Sequence, residues 1–300
     1  MTIDYHSWWW RQGRAGIVIF TTLLVVGNLF EPLQTKAWNP TRANQPELNF
    51  KDLGDNLGQG TLLGVFGGFR NILADFAWLR RYTFWEQRDL PNTIAMLNLA
   101  TTLDPQLQVF WDDGSRQIAY DIPSWLEFER PRPTTDAEKK AFAEEYTKFN
   151  HDQAVRGLEF LDRGLQFLPN NYKLLLDKAE IYQNRLANEP GALEEAAEQY
   201  KLAAAATKQV YYPMRQSIRL LWSLGDKQHQ FEAYDYLKSR YPNLPEDAPD
   251  AQKSVMWDTL QAMEQVLKIP DADRTHFPKP ANYSSDPDFE LLPDTKLGDS

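Results

Sequence analysis

From residue 69 onward apolar and polar positions alternate with a period near 3.6, the spacing of amphipathic helices, and the short breaks fall at Pro, Gly, Asn and Asp. Residues 69–88 place Ile72, Leu73, Phe76, Leu79 and Tyr82 at helical spacing. Asp89-Leu90-Pro91-Asn92 predicts a turn capped by Asp89 or Asn92, and 93–102 returns as a second helix. Asp104-Pro105 stops it, because a residue before proline avoids helical backbone geometry. A second pair opens with the run 109–120.

The rhythm is then interrupted by Ile122-Pro123 and Arg130-Pro131-Arg132-Pro133, with Trp125, Leu126 and Phe128 predicting a short helix between them. Thr134-Thr135-Asp136 caps a helical run rich in Glu, Lys and Ala that reaches Leu168-Pro169, with Asn150-His151-Asp152 as the place for a bend. This stretch reads as one helix pair carrying an inserted arm at about 121–150, two irregular pairs being the alternative. Leu175, Ala179 and Tyr182 mark the first helix of a third pair. Its second starts at Asn188-Glu189-Pro190-Gly191 and carries Ala196, Tyr200 and Ala203 at interlocking steps. Residues 212–224 and 230–241 form a fourth pair around Leu224-Gly225-Asp226. Residues 246–269 predict a capping helix with Met256, Leu260, Met263 and Leu267 on one stripe, suited to covering the apolar end of a stacked array. The segment 270–300, rich in Pro, Asp and Ser, predicts an extended or disordered tail.

Trp78 and Trp111 lie 33 residues apart, close to the 34-residue period of stacked helix-turn-helix repeats. Together with Leu97, Ala100, Pro105, Pro169, Ala179, Tyr182, Ala196, Tyr200, Ala203 and Pro242, they make the chain resemble bacterial membrane-anchored tetratricopeptide repeat proteins. The resemblance implies an all-α, right-handed solenoid of about four helix pairs with a C-terminal capping helix, filling 57–245 and 246–269. It also implies a protein-binding scaffold. Ser115, Ile118, Gly157, Gly164 and Gln230 depart from the usual repeat pattern, so the repeats are degenerate.

Upstream, residues 15–30 (AGIVIFTTLLVVGNLF) carry no charge and follow Trp8-Trp9-Trp10, Arg11 and Arg14. Sixteen helical residues reach only about 24 Å, short of a hydrocarbon core of about 30 Å, and interfacial tryptophans with snorkelling arginines make up the difference. The expectation is therefore one N-terminal transmembrane helix within 1–30, with a cleaved signal peptide as the competing reading. Residues 31–56 would be a tether. The N-terminus is expected in the cytoplasm and the repeats outside it, at a bacterial inner membrane. The glycine-rich stretch 57–68 is read as small residues permitting close helix approach; no Gly-Lys-Ser/Thr follows to make it a phosphate loop.

Composition then narrows the chemistry. The net charge is −10, most of it in the last 55 residues, which argues against binding nucleic acid through its phosphates. There is no Cys, excluding disulfides, thiolate metal sites and a Cys nucleophile. His6, His151, His229 and His276 are scattered without ligand spacing, so neither a metal nor a cofactor is predicted. Asp112-Asp113 do not converge on one atom when helical, and read as exposed charge. No catalytic constellation is present, and the chain is read as a non-enzyme.

Projecting the repeat register puts Glu86, Asp112, Arg116, Lys173, Glu180, Gln183, Tyr212, Arg215, Arg219 and Trp222 on the inner wall of a peptide-binding groove. The 3-4-3 spacing of Tyr212, Arg215, Arg219 and Trp222 suggests one face able to hold an acidic, partly apolar peptide. Asp286, Asp288 and Glu290 beside Phe289 are candidate intramolecular occupants of that wall. The expected function is a membrane-anchored scaffold for a partner subunit or peptide of an envelope assembly. The alternative is a glycan-binding or glycan-processing helical toroid, suggested by the richness in Trp, Tyr and Asp.

Overall fold

The computed structural model describes residues 69–126, 133–207, 211–244 and 250–283. The expected membrane segment, the tether, the stretch 57–68 and the acidic cluster around Phe289 lie outside the described residues. Among those described, every regular element is helical. They form nine α-helices: α1 (Arg70–Glu86), α2 (Leu90–Leu103), α3 (Gln108–Arg116), α4 (Asp136–Phe167), α5 (Tyr172–Arg185), α6 (Ala192–Ala206), α7 (Tyr212–Ser223), α8 (Lys227–Arg240) and α9 (Asp250–Val266). Helices adjacent in sequence pack in pairs. None of the described helices is long and apolar enough to cross a membrane. The chain divides into two compact units, Met1–Phe110 and Trp111–Ser300.

In the first unit, α1 and α2 form a hairpin. Its turn places Arg88 in the left-handed region at φ 55°, and the Asp89 side chain caps α2 by accepting from the Asn92 backbone N–H at 3.2 Å. Pro91 sits in the first turn of α2, where a missing N–H does no harm. The contact is made by small residues: Ala74 and Ala77 meet Ala100, Leu103 and Phe110, and Trp78 stacks on Phe110 at 4.8 Å. Arg70 reaches across to the end of α2, its Nε and Nη2 donating to the Leu103 and Thr102 carbonyls, groups that a helix C-terminus leaves without partners. Of the apolar residues at helical spacing on α1, Leu73 packs against this contact. Ile72, Phe76, Leu79 and Tyr82 are exposed, because the alanine side lets the two helices approach more closely than those bulky residues would permit.

In the second unit, helical backbone continues past Arg116 through one wide turn, Gln117–Asp121, and one tight turn, Ile122–Ser124. The break expected at Ile122-Pro123 is thereby absorbed. Pro123 has no N–H and its ring would crowd the carbonyl four residues earlier; widening the turn, with the Ile122 N–H bonding the Gln117 carbonyl, relieves both. Ile118, Ala119, Ile122 and Pro123 are buried.

Helix α4 is a single element of 32 residues, running through the Asn150-His151-Asp152 site expected to bend. Thr135 and Glu138 form a reciprocal capping box at its start, and the backbone N–H groups of Thr134 and Thr135 hold the Glu138 carboxyl at about 2, well below the usual carboxylate range. Its early turns, part of the expected arm, are largely exposed; from Gln153 it buries Ala154, Gly157, Leu158, Phe160, Leu161 and Gly164. The two glycines that depart from the repeat pattern have a reason. A Cβ on Gly164 would stand 2.8 Å from Cδ2 of Trp111, and one on Gly157 would stand 3.0 Å from Cβ of Ala119.

The remaining helices α5 to α9 share one core containing Ala179, Ala196, Tyr200, Ile218, Trp222, Tyr234, Met256, Leu260 and Met263. Asn171 caps α5 and Asp226 caps α8, while Gly191 and Gly225, both at φ 80°, turn the chain before α6 and after α7. Helix α9 lays the predicted Met256, Leu260 and Met263 stripe onto that core. Residues 270–283 are held against the helices: the Phe277 carbonyl accepts from Trp257 Nε1 at 3.0 Å, the Thr275 N–H donates to Glu264 at 2.8 Å, and the Tyr283 hydroxyl donates to Asp258.

Gly164→Ala tests the close approach. Elsewhere in a helix this change adds up to about 1 kcal/mol of stability. Here Trp111 is packed between Phe160 at 4.9 Å and Phe167 at 6.2 Å and has nowhere to move. The variant should lose about 1–3 kcal/mol in urea unfolding. A gain would show that the ring yields freely.

A candidate polar seam on the first helices of the pairs

Asp112 and Arg116 stand four residues apart on α3 and so share a helix face, with Arg116 Nε 3.2 Å from Asp112 Oδ1. The same guanidinium crosses to α5, where Nε and Nη2 donate to Asp177 Oδ1 at 3.0 and 2.7 Å. The Asp177 side chain is only 2% exposed, whereas that of Arg116 is 53% exposed. Lys173, one turn before Asp177, brings its Nζ to 3.9 Å from Asp112 Oδ2. A charged seam therefore joins α3 to α5, its carboxylates inside and its cations toward solvent.

Burial dominates the titration of these groups. It pushes the Asp177 carboxyl up to about 8; the neighbouring Asp112 adds to the rise, and the Arg116 contact offsets it only in part. Burial also raises Glu180, against the opposing charge of Arg116. For Arg116 burial works against the charged form, but the bond to Asp177 outweighs it and the guanidinium is held above its ordinary value.

The seam extends through aromatic residues. Tyr120, one turn beyond Arg116, has the Arg185 guanidinium 4.4 Å over its ring, and Arg185 Nη2 donates to the Tyr120 carbonyl at 3.4 Å. From α6, the Tyr200 hydroxyl donates to Gln183 Oε1 on α5 at 2.7 Å, while its ring meets Tyr212 of α7 edge-on at 6.3 Å. Burial drives the Tyr200 phenol above its ordinary range, so it remains a proton donor. The first helices of three successive pairs, α3, α5 and α7, are thus linked by polar side chains.

No family model, curated protein or solved structure matches this chain. What the seam can do is therefore read from its own chemistry.

Of the ten wall residues projected from the sequence, Asp112, Arg116, Lys173, Glu180, Gln183 and Tyr212 lie along this seam. Arg219 is exposed on α7 and Arg215 is half-buried there. Glu86 is exposed on α1, in the other unit. Trp222 is a correction: its side chain is wholly enclosed in the core of α5 to α9, so it does not share an exposed face with Tyr212. Ten residues amount to about 2.8 turns, which rotates Trp222 some 80° away from Tyr212 and under the neighbouring helix. Asp112 is the second correction, being buried and ion-paired where exposed charge was expected; Asp113 beside it is exposed. Sequence reasoning missed Asp177, Tyr120, Tyr200 and Arg185. Asp177 was within reach, since it lies four residues after Lys173 and three before Glu180, on the same helix face.

Among the described residues no cluster of His, Asp and Glu has the geometry to hold a metal ion. The outward groups of the seam are donors. None of the bonds made by Arg116 uses its Nη1, which leaves that edge available to an incoming carboxylate or carbonyl.

The buried acid gives a sign-definite prediction. Above the ordinary Asp value of 3.8 the unfolded chain releases a proton that folded Asp177 retains up to about 8, so this group's contribution to stability falls as pH rises between those values. Asp177→Asn keeps the shape and removes the titration. Urea unfolding across that range should show the variant gaining on the parent as pH rises; parallel profiles would refute the assignment.

Proposed function

We propose that the protein is a membrane-anchored interaction scaffold, built from tetratricopeptide-like helix pairs, that binds an acidic peptide segment of a partner subunit through the α3–α5–α7 seam. The reading includes display outside the cytoplasm from the apolar segment 15–30, at a bacterial inner membrane. The observation that carries it is the posture of Arg116, a guanidinium braced from behind by Asp177 and Asp112 with its other edge half in solvent. Such bracing removes much of the conformational entropy that a long side chain otherwise loses on binding, and a guanidinium engages a carboxylate in two-point geometry. Lys173 beside it adds a second cation, and Tyr212 and Gln183 offer an aromatic edge and an amide farther along. Arg219, exposed on α7, extends the cationic side of the same surface.

The binding is recognition without chemistry, and it supports affinity through several modest contacts. An array of random peptides, probed with the full chain in detergent, should retain acidic sequences. Arg116→Glu combined with Lys173→Glu should weaken that retention at least about tenfold, equivalent to about 1.4 kcal/mol. Retention that is indifferent to the double substitution would contradict the proposal, and selective retention on polysaccharide instead of peptides would favour a glycan-binding role.

A further inference from the structure

We propose that α9 and the turn after α8 form a docking surface for an extended, proline-containing segment of a partner, and that the chain's own residues 275–283 occupy it as a displaceable resident. Pro278 and Pro280 fix their own φ near −65° and keep the residues before them, Phe277 and Lys279, out of helical geometry. Phe277-Pro278-Lys279-Pro280 is therefore an extended run of the polyproline kind, and residues 275–280 belong to neither helix nor strand. Trp257 Nε1 donates to the Phe277 carbonyl at 3.0 Å, and the Phe277 ring packs on Tyr241 at 5.2 Å. The Tyr283 hydroxyl lies 3.0 and 2.8 Å from the two oxygens of Asp258, to which it donates. Lys279 Nζ stands 3.5 Å from the Tyr283 ring centroid and 5.8 Å from that of Trp257, and the two rings meet edge-on at 6.1 Å.

The resident shows what chemistry the surface takes. An indole N–H bonded to a backbone carbonyl, with rings on either side, is how aromatic-lined surfaces hold polyproline segments, whose stiffness lowers the entropy lost on docking. The groups engaged are a carbonyl, a ring, a cation and a phenol, so a partner carrying an aromatic-Pro-basic-Pro run meets the same contacts. Two observations make the resident displaceable. None of residues 271–283 is buried, and a segment held by surface contacts alone opens locally at a lower free energy than the helices beneath it. His276 is also held in the left-handed region at φ 47°, a strain that release removes. Helix α9, by contrast, sets Met256, Leu260 and Met263 into the shared core, so the receiving face keeps its shape when the segment leaves. The inference does not depend on the α3–α5–α7 seam.

The probe is a fluorescein-labelled peptide of residues 274–283, titrated against the full chain in detergent and read by anisotropy. In the parent the tethered resident competes at high effective concentration and keeps the peptide's affinity low. Phe277→Ala combined with Tyr283→Ala loosens the resident and should raise that affinity at least about tenfold. Adding Trp257→Phe, which keeps a ring and removes the N–H, should reverse most of the gain, as should replacing both prolines of the peptide by alanine. Peptide bound equally by parent and loosened chain, or by neither, would overturn the proposal, as would a gain that survives both changes. Hydrogen exchange tests the parent without substitution. The Thr275 amide should exchange well before that of Leu260 in α9; a Thr275 amide that exchanges only with global unfolding would make the segment a fixed part of the fold and overturn the proposal.

Discussion

Close contact between helices through small side chains is the constraint on which both units depend. Ala74 and Ala77 against Ala100, Gly157 against Ala119, Gly164 against Trp111, and Ala179, Ala196 and Ala197 in the shared core all stand where a larger residue would hold two helices apart. Close approach maximises dispersion contact, and an interior packed at that density has no slack to admit another methyl group. Large residues are consequently displaced to positions beside the contact. Phe160 and Phe167 flank Trp111 in this way. On α1 the displaced residues face outward and make the apolar stripe.

The same closeness creates the polar seam. With α5 packed against α4 and α6, the Asp177 carboxyl is carried almost entirely out of water, where an unpaired charge is very unfavourable. Two responses are visible. The group shifts toward its neutral form, and Arg116 reaches in to satisfy one oxygen. Because the guanidinium must extend from an exposed position to do this, its far edge is left in solvent. A requirement of packing thereby becomes a positioned cation on a surface, and the proposed recognition follows from it.

The pairing of helices was legible in the sequence because it is written locally. Proline at 91, 105 and 213, the caps at Asp89, Thr135 and Asp226, and glycine at 191 and 225 each fix an end by backbone chemistry alone. The helix α1 was legible from its periodicity, but periodicity identifies apolar positions without saying which of them anything covers: Leu73 packs on the core while Ile72, Phe76, Leu79 and Tyr82 are exposed. For the seam, the repeat register placed Asp112 and Arg116 on α3 and Lys173, Glu180 and Gln183 on α5, the two helices that the Arg116–Asp177 contact joins. It could not find Tyr200, which reaches the same line from the return helix α6, nor the bond between Arg116 and Asp177, whose partners lie 61 positions apart. Trp222 failed for a related reason. Helical spacing drifts around the axis over three turns, and the core shared by α5 to α9 encloses the far end.

The central claim is that α3 and α5 are joined by a coupled ionic contact between Arg116 and Asp177. A double-mutant cycle with Arg116→Gln, Asp177→Asn and the combined variant, each unfolded in urea at a fixed pH above about 8, where the Asp177 carboxyl is ionised, measures that coupling directly. An interaction energy of about 0.5–3 kcal/mol between the two substitutions is the predicted result. Strict additivity would mean that the two side chains are energetically independent and would contradict the account.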